Sequence, residues 1–119
     1  MDGEISADEL WELIRGDDPV RIVDIRSPER FRRGHIPGSE NIPFAELTAK
    51  IETFDGEDRV VTVCPHGQSS VQAARLIASF EGFGGRVEAL ETGIDGWPHE
   101  LETERGDAAE DPDAPDAPF

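Results

Sequence analysis

Three short apolar segments alternate with helical segments along this chain, and this alternation decides its fold class. The apolar segments comprise residues 20–25, 59–64 and 86–90. The first two are rich in β-branched residues and nearly continuous in apolar character, as expected of strands covered on both faces, and the third follows the pattern more weakly. Strands that alternate with helices favour a parallel sheet. The sequence therefore predicts an α/β domain.

The stretches around these strands have the patterns of helices. Ser6 and Glu9 have the spacing of a capping box, in which each side chain accepts a hydrogen bond from the backbone of the other residue. Apolar residues at helical spacing predict three helices, at residues 6–16, 44–53 and 70–80. Between residues 28 and 43, glycine and proline interrupt a short charged segment, which predicts an ordered connector containing one helical turn.

A change of composition divides the chain near residue 100. The 119 residues allow one domain, because single cores organise on the order of 100 to 150 residues. Residues 101–119 consist mainly of Asp, Glu, Ala and Pro, so ordering them would cost backbone entropy and bury little. We predict one domain over residues 1–100 and a disordered acidic tail over residues 101–119.

Acidic residues outnumber basic residues by 27 to 11, which gives a formal net charge of −16. This charge disfavours nucleic acids and anionic membranes as partners, because both attract clustered Lys and Arg. The acidic residues are spread along the chain, and we interpret them as a halophilic surface that stays hydrated where salt screens its self-repulsion. The alternative is an acidic surface that docks a basic protein.

The beginning of the chain lacks the pattern of a secretory leader. Asp2 and Glu4 stand where such a leader needs basic residues, and no apolar segment follows them. No stretch of the sequence is apolar enough over sufficient length to span a bilayer. We therefore expect a cytoplasmic protein.

Cys64 is the single cysteine of the chain, which excludes an intramolecular disulfide and a metal site of several cysteines. It ends a predicted strand, and Pro65-His66-Gly67-Gln68-Ser69-Ser70 separates it from the body of the next helix. In such a turn, loop N–H groups and the helix N-terminus together stabilise an anion at the loop centre. Thiolate and persulfide are both such anions, so we predict that Cys64 is a nucleophile.

Each residue of this loop also has a purely structural explanation. Gly67 would supply a backbone conformation that other residues avoid, in a catalytic or in an inert loop. Ser69 and Ser70 would cap the helix. His66 is either an acid or base beside the sulfur or a solvated side chain. The loop composition alone leaves these alternatives open.

Three further motifs surround this loop in a specific order. Asp24-Ile25-Arg26 ends a predicted strand, the segment from Phe31 to Pro43 follows it, and Gly93-Ile94-Asp95-Gly96-Trp97 comes near the end. They resemble the Asp-x-Arg, Gly-His-Ile-x-Gly-A-x-Asn-Ile-Pro and Gly-Gly-x-x-x-Trp motifs of the rhodanese homology domain. With the cysteine loop, the resemblance covers roughly residues 5 to 100.

Three positions depart from the family pattern. Ser39 stands where Ala is usual, Thr92 stands in place of a Gly, and Ser69 stands where many members have Arg. The segment from Cys64 to Ala74 is nevertheless similar to the loop of the single-domain thiosulfate sulfurtransferases, which reads Cys-x-His-Gly-x-Ser-Ser-x-x-Ala-Ala. The resemblance implies that sulfur transfer does not require the missing Arg.

This resemblance implies a fold, a reaction and a set of partners. The fold is a three-layer domain with a central, mostly parallel sheet of about five strands and helices on both faces. Cys64 would attack the outer sulfur of thiosulfate, release sulfite and hold the sulfur as a persulfide. A thiol, cyanide or a sulfur-carrier protein would then accept it. The resemblance implies no metal and no other cofactor, and we expect a monomer.

The resemblance also assigns roles to the residues around the nucleophile. Asp24 and Arg26 are expected to brace the base of the loop through an ion pair, and Arg26 is also a candidate to attract the anionic substrate. His35 is expected to fix its turn by hydrogen bonds, and Trp97 to lie in the core or in the wall of a cleft. The substrate-binding set would be Arg26, Pro65, His66, Gly67, Gln68, Ser69 and Ser70.

Two other functions stay open at this point. One is a non-catalytic or partner-dependent rhodanese module that carries sulfur within a protein complex. The other is a phosphatase or an arsenate reductase. It is disfavoured because the loop from Cys64 to Ser69 is shorter than theirs and because Ser69 does not supply an anion-binding Arg.

Overall fold

A five-stranded parallel sheet forms the centre of the computed structural model, which describes residues 3–16, 19–65 and 68–103. The strands are β1 (Glu4–Ile5), β2 (Arg21–Asp24), β3 (Glu40–Asn41), β4 (Arg59–Val63) and β5 (Arg86–Leu90). They lie in the order β1-β5-β4-β2-β3, and every neighbouring pair runs parallel. The predicted α/β class is therefore confirmed.

Four α-helices and two 3₁₀ segments accompany the sheet in the described residues. The helices are α1 (Ala7–Arg15), α2 (Pro28–Arg33), α3 (Phe44–Leu47) and α4 (Ser69–Ser79), and the 3₁₀ segments are Thr48–Phe54 and Ile94–Gly96. The Glu9 N–H donates to Ser6 Oγ over 3.1 Å, and the Ser6 N–H donates to Glu9 Oε1 over 3.2 Å. This capping box confirms the predicted start of α1.

Helices cover both faces of the sheet, as predicted. Neighbouring residues of a strand point to opposite faces, so Val60 of β4 joins one core and Val61 joins the other. The first core packs α3, the first 3₁₀ segment and α4 on the sheet; it contains Val23, Ile25, Ile42, Leu47, Phe54, Val60, Cys64, Ala73, Ala74, Ile77, Phe83 and Val87. The second packs α1 on the other face; it contains Ile5, Ala7, Leu10, Ile22, Ile36, Val61, Val63, Leu90, Ile94 and Trp97.

The single helix predicted for residues 44–53 is wrong in part. The segment begins as α3 but continues as a 3₁₀ helix from Thr48 to Phe54. Arg21 donates to the carbonyl oxygen of Thr53 over 2.8 Å, and Thr53 Oγ1 donates to the carbonyl oxygen of Lys50 over 2.8 Å. Both side chains donate to carbonyl oxygens that, in a longer α-helix, would accept hydrogen bonds from the helix backbone. This competition favours the tighter 3₁₀ helix.

The connector predicted for residues 28–43 contains more regular structure than one helical turn. Its first part forms α2, whose first residue is a proline with a backbone angle already suited to a helix. Its later part contains β3, which pairs with β2 at the sheet edge. Both β1 and β3 have two residues, which is too short for the alternation that identifies a strand in a sequence.

The predicted acidic tail starts at residue 101, and its first three residues are described. Glu102 and His35 form an isolated antiparallel bridge, with N–H to oxygen distances of 2.9 and 2.8 Å. The prediction of disorder otherwise concerns residues 104–119, which lie outside the described residues. Among the residues that are described, no helix is both long and apolar enough to cross a membrane.

Candidate functional site

Cys64 lies at the carboxyl end of the central strand β4, where ligands of parallel sheets usually bind. Only 1% of the residue is exposed. Its main chain is held from two sides. The carbonyl oxygen of the preceding Val63 accepts from the Ile25 N–H over 2.9 Å, and the carbonyl oxygen of Cys64 accepts from the Ile94 N–H over 2.8 Å. The segments that follow β2 and β5 therefore fix the position of the cysteine.

The strand predicted before Cys64 and the helix predicted after it are both present. The helix α4 starts at Ser69 and has 11 residues, and Gln68 is the residue that precedes it. No side chain caps this helix start, so the suggestion that Ser69 and Ser70 cap it is wrong. The two serines instead form its first turn, with Gln68 and Ser69 exposed. Predictions for His66 and Gly67 lie outside the described residues.

Ser70 differs from its neighbour because it faces the interior. The residue is 0% exposed, and its Oγ is a buried oxygen without a hydrogen-bond partner in the described part of the chain. Thr62 Oγ1 donates to the carbonyl oxygen of Ser70 over 2.7 Å, which ties the start of α4 to β4. Since most buried polar atoms are hydrogen-bonded, an unpaired hydroxyl in the first turn of the helix that follows Cys64 needs an explanation.

The ion pair expected between Asp24 and Arg26 is present beside the loop. In the sheet, Asp24 lies opposite Val63, the residue before Cys64. Arg26 Nη2 donates to Asp24 Oδ2 over 2.8 Å, and Arg26 Nε donates to Asp24 Oδ1 over 3.0 Å. The Asp24 side chain is 1% exposed, and the Arg26 side chain is 8% exposed. Arg26 Nη2 also donates to the carbonyl oxygen of Gly34 over 2.7 Å, so the pair joins β2 to the end of α2.

Asn41 contributes to this support, although sequence reasoning gave it no role. Asn41 Nδ2 donates to the carbonyl oxygens of Asp24 and Arg26, over 3.0 and 2.9 Å. The side chain therefore fixes the backbone on both sides of Ile25, whose own N–H bonds to the strand of the cysteine. The one available signal was its place in the Asn-Ile-Pro motif, two residues before Pro43.

His35 and Trp97 occupy structural positions. His35 is buried, its Nδ1 lies 2.8 Å from the carbonyl oxygen of Phe31, and its ring stacks on the Phe31 ring at 3.9 Å. Trp97 is buried in the second core, and its Nε1 donates to the carbonyl oxygen of Glu100 over 3.2 Å. These contacts match the supporting roles that the resemblance implied.

An open cleft of about 270 Å³ lies between α2 and the segment that follows β5. One wall of the cleft carries three arginines, and the other carries the backbone that bonds to the cysteine loop. Its lining residues are Arg26, Arg30, Arg33, Gly34, Ile94, Asp95 and Leu101. Asp95 N–H donates to the carbonyl oxygen of Pro65 over 3.1 Å, so this wall is attached directly to the loop.

Two curated proteins illustrate the relatives of this chain. Thiosulfate sulfurtransferase GlpE of Pseudoalteromonas translucida is 34% identical over 93 residues, which cover 78% of this chain and 86% of that protein. A Bacillus subtilis protein whose name describes a sulfur carrier is 30% identical over 74 residues. That match covers 62% of this chain and 40% of the Bacillus protein, so this chain spans less than half of that relative.

A solved structure and a family model cover more of the chain. A rhodanese-like domain protein from Staphylococcus aureus superposes with a TM-score of 0.74 at 29% identity, and the match covers 87% of this chain and 99% of that one. The family model described as a rhodanese-like domain matches residues 6–100, which include every strand except β1 and every helix. The chain therefore belongs to the family of rhodanese-like domains.

Proposed function

We propose that this protein is a sulfurtransferase that carries sulfur as a persulfide on Cys64. The observation that carries the proposal is the position of this buried thiol, between the end of β4 and the start of α4. The positive end of an 11-residue helix favours an anion at that point. A thiolate can attack a sulfur donor there, and the persulfide anion that it forms is stabilised by the same helix end.

The proposed reaction has two displacements. The Cys64 thiolate attacks the outer sulfur of thiosulfate; a new S–S bond forms, the S–S bond of thiosulfate breaks, and sulfite leaves with the electron pair. A thiol or cyanide then attacks the terminal sulfur, and the electron pair of the second broken bond returns to Cys64. Thiosulfate as the donor is supported by the name of the GlpE relative, at 34% identity.

A second candidate is a carrier that receives and passes sulfur only within a protein complex. The Bacillus relative whose name describes a sulfur carrier favours it, because that protein is longer than the segment that matches this chain. The burial of Cys64 is compatible with both candidates, since a small donor or a partner's sulfur must enter the same loop. The two differ in whether thiosulfate alone loads the cysteine.

Intact-mass spectrometry before and after incubation with thiosulfate tests the proposal. We expect a gain of about 32 Da, one sulfur atom, because an activated thiolate keeps the transferred sulfur. The added mass should map to Cys64 and disappear with cyanide, with release of thiocyanate. A folded protein that gains no sulfur from thiosulfate contradicts the enzyme proposal and favours the partner-dependent carrier.

Replacing Ser70 with alanine is expected to slow sulfur transfer without destabilising the protein. We propose that the buried hydroxyl, which has no partner within the described residues, donates to the persulfide. Loss of one hydrogen bond to a charged group should lower the rate about tenfold. The free energy of unfolding should stay the same or rise by up to about 1 kcal/mol, because an unpaired buried hydroxyl is removed.

The matched control is Ser69→Ala, which removes an exposed hydroxyl from the preceding position of the same helix turn. Both variants are compared by thiocyanate formation and by denaturant unfolding. Equal rates for the two variants would contradict the role of Ser70. A clear loss of stability in Ser70→Ala would show that the hydroxyl serves the fold instead.

A further inference from the structure

One short segment of this acidic chain is basic. The segment of residues 26–34 carries four of the 11 Lys and Arg residues, namely Arg26, Arg30, Arg32 and Arg33, and one acidic residue, Glu29. The segment therefore has a formal charge of +3, with Arg26 paired to Asp24 just outside it, whereas the whole chain has a charge of −16. A positive patch on a protein that otherwise repels anions marks where an anion can approach.

Helix α2 directs two of these arginines into the cleft and one away from it. Arg30 and Arg33 are three residues apart, so they lie on the same side of the helix, and both line the cleft. Arg32, on the same helix and also exposed, does not line it. The helix thus presents two guanidinium groups to one pocket and offers a third as an internal comparison.

The other charged groups around the cleft leave the side chains of Arg30 and Arg33 available to bind an anion. The Arg26 guanidinium is engaged by Asp24 and by the Gly34 carbonyl. Arg33 approaches Glu29 at 3.9 Å, but both side chains are more than two thirds exposed, and such pairs contribute little. Asp95 supplies a carboxylate on the opposite wall. Arg30 makes no ion pair within residues 3–16, 19–65 and 68–103.

The cleft adjoins the nucleophile through the backbone. Ile94 and Asp95, which form its second wall, donate their N–H groups to the carbonyl oxygens of Cys64 and Pro65. A molecule held by the arginines of the first wall therefore contacts the segment whose backbone bonds to Cys64 and Pro65. With a volume of about 270 Å³ the cleft is open and just below the usual range of enclosed ligand pockets, so it would hold a small molecule mainly through its charges.

We propose that this cleft binds the acceptor of the sulfur, and that the acceptor is a small thiol carrying carboxylates, which Arg30 and Arg33 bind. The inference rests on the proposed persulfide function of Cys64. The acceptor thiolate attacks the terminal sulfur, a bond forms between the two sulfurs, and the electron pair of the broken bond returns to Cys64. A small thiol fits better than an acidic protein, which the net charge of −16 would repel over its whole surface.

The test measures the discharge of preloaded persulfide by two thiols at one fixed salt concentration. Mercaptosuccinate carries two carboxylates, and 2-mercaptoethanol carries none. The variants are Arg30→Gln/Arg33→Gln and, as controls, Arg32→Gln and the wild type. We expect the ratio of the two discharge rates, mercaptosuccinate over 2-mercaptoethanol, to fall about tenfold or more in the double variant, as for the loss of hydrogen bonds to a charged group.

The Arg32→Gln control distinguishes binding at the cleft from a general electrostatic effect of positive charge on the helix. Arg32→Gln removes one positive charge from the same helix and should change the ratio by less than about twofold, since exposed charges outside the cleft act weakly. An unchanged ratio in the double variant would overturn the proposal. The proposal would also be overturned if Arg32→Gln lowered the ratio of discharge rates as much, per charge removed, as the double variant does. The effect would then come from net charge alone.

A second measurement does not depend on sulfur transfer. Iodoacetate and iodoacetamide both alkylate Cys64, but only iodoacetate carries a carboxylate. In the double variant the ratio of their rates, iodoacetate over iodoacetamide, should fall about threefold or more, as expected when a nearby charge is removed. If thiosulfate loads no sulfur, the sulfurtransferase proposal fails, and this ratio still decides whether Arg30 and Arg33 bring carboxylates to Cys64.

Discussion

Replacing Cys64 with serine is expected to abolish sulfur transfer from thiosulfate and leave the fold intact. A hydroxyl oxygen does not form the S–S bond on which both displacements depend, so no sulfur is retained. We expect thiocyanate formation to fall at least about a thousandfold, as for loss of a nucleophile in other enzymes that use covalent intermediates. The measurement is steady-state thiocyanate formation with thiosulfate and cyanide, together with intact mass.

Folding is the control for this variant, because Cys64 belongs to the first core. Serine is smaller and more polar, and burial of its hydroxyl costs about 1 to 3 kcal/mol if no partner accepts it. Circular dichroism and denaturant unfolding should therefore show a folded protein of somewhat lower stability. Cys64→Ala should be equally inactive. Turnover above the uncatalysed rate in a folded variant would mean that sulfur travels by another route.

Removing the carboxylate of Asp24 is expected to destabilise the domain by about 3 to 5 kcal/mol. This is the usual cost of removing one partner of a buried ion pair, because the other charge stays buried without compensation. Asp24→Ala leaves the guanidinium of Arg26, which is 8% exposed, without its bidentate acceptor. The variant also loses the carboxylate that accepts the Arg26 backbone N–H over 3.0 Å. Denaturant unfolding gives the free energy of unfolding directly.

Two comparisons test the cause of this loss. Glu46→Ala breaks the exposed pair between Glu46 and Lys50, 3.7 Å apart, and should cost less than about 0.5 kcal/mol. Asp24→Ala combined with Arg26→Met leaves no buried charge and should recover part of the stability that Asp24→Ala loses. If the single Asp24→Ala variant were as stable as Glu46→Ala, the ion pair would not support the base of the cysteine loop.

The features that the sequence predicted correctly are those set by near neighbours. The capping box of Ser6 and Glu9 acts within one helical turn, and its geometry is present as expected. The strands β4 and β5 each contain five residues, long enough for their apolar character to be recognised. The position of Cys64 between a strand and a helix was predicted for the same reason, because both elements are visible in local patterns.

The features that could not be predicted from the sequence depend on contacts between distant segments. Strand β3 has two residues and exists as a strand because it pairs with β2. Ser69 and Ser70 look equivalent in the sequence, but one is exposed and the other is buried, and this difference depends on how α4 rests on β4. The two arginines of the cleft share a wall only because their segment is a helix, and residues about 60 positions later form the opposite wall.

The two shortest strands lie at the two edges of the sheet, where a longer strand would offer unpaired backbone groups to other molecules. With two residues each, β1 and β3 give little template for another chain to extend the sheet. Such edges protect a parallel sheet against aggregation at high concentration, without any help from a partner. They also allow the same domain to be placed beside other domains in a longer polypeptide with little risk that their sheets will merge.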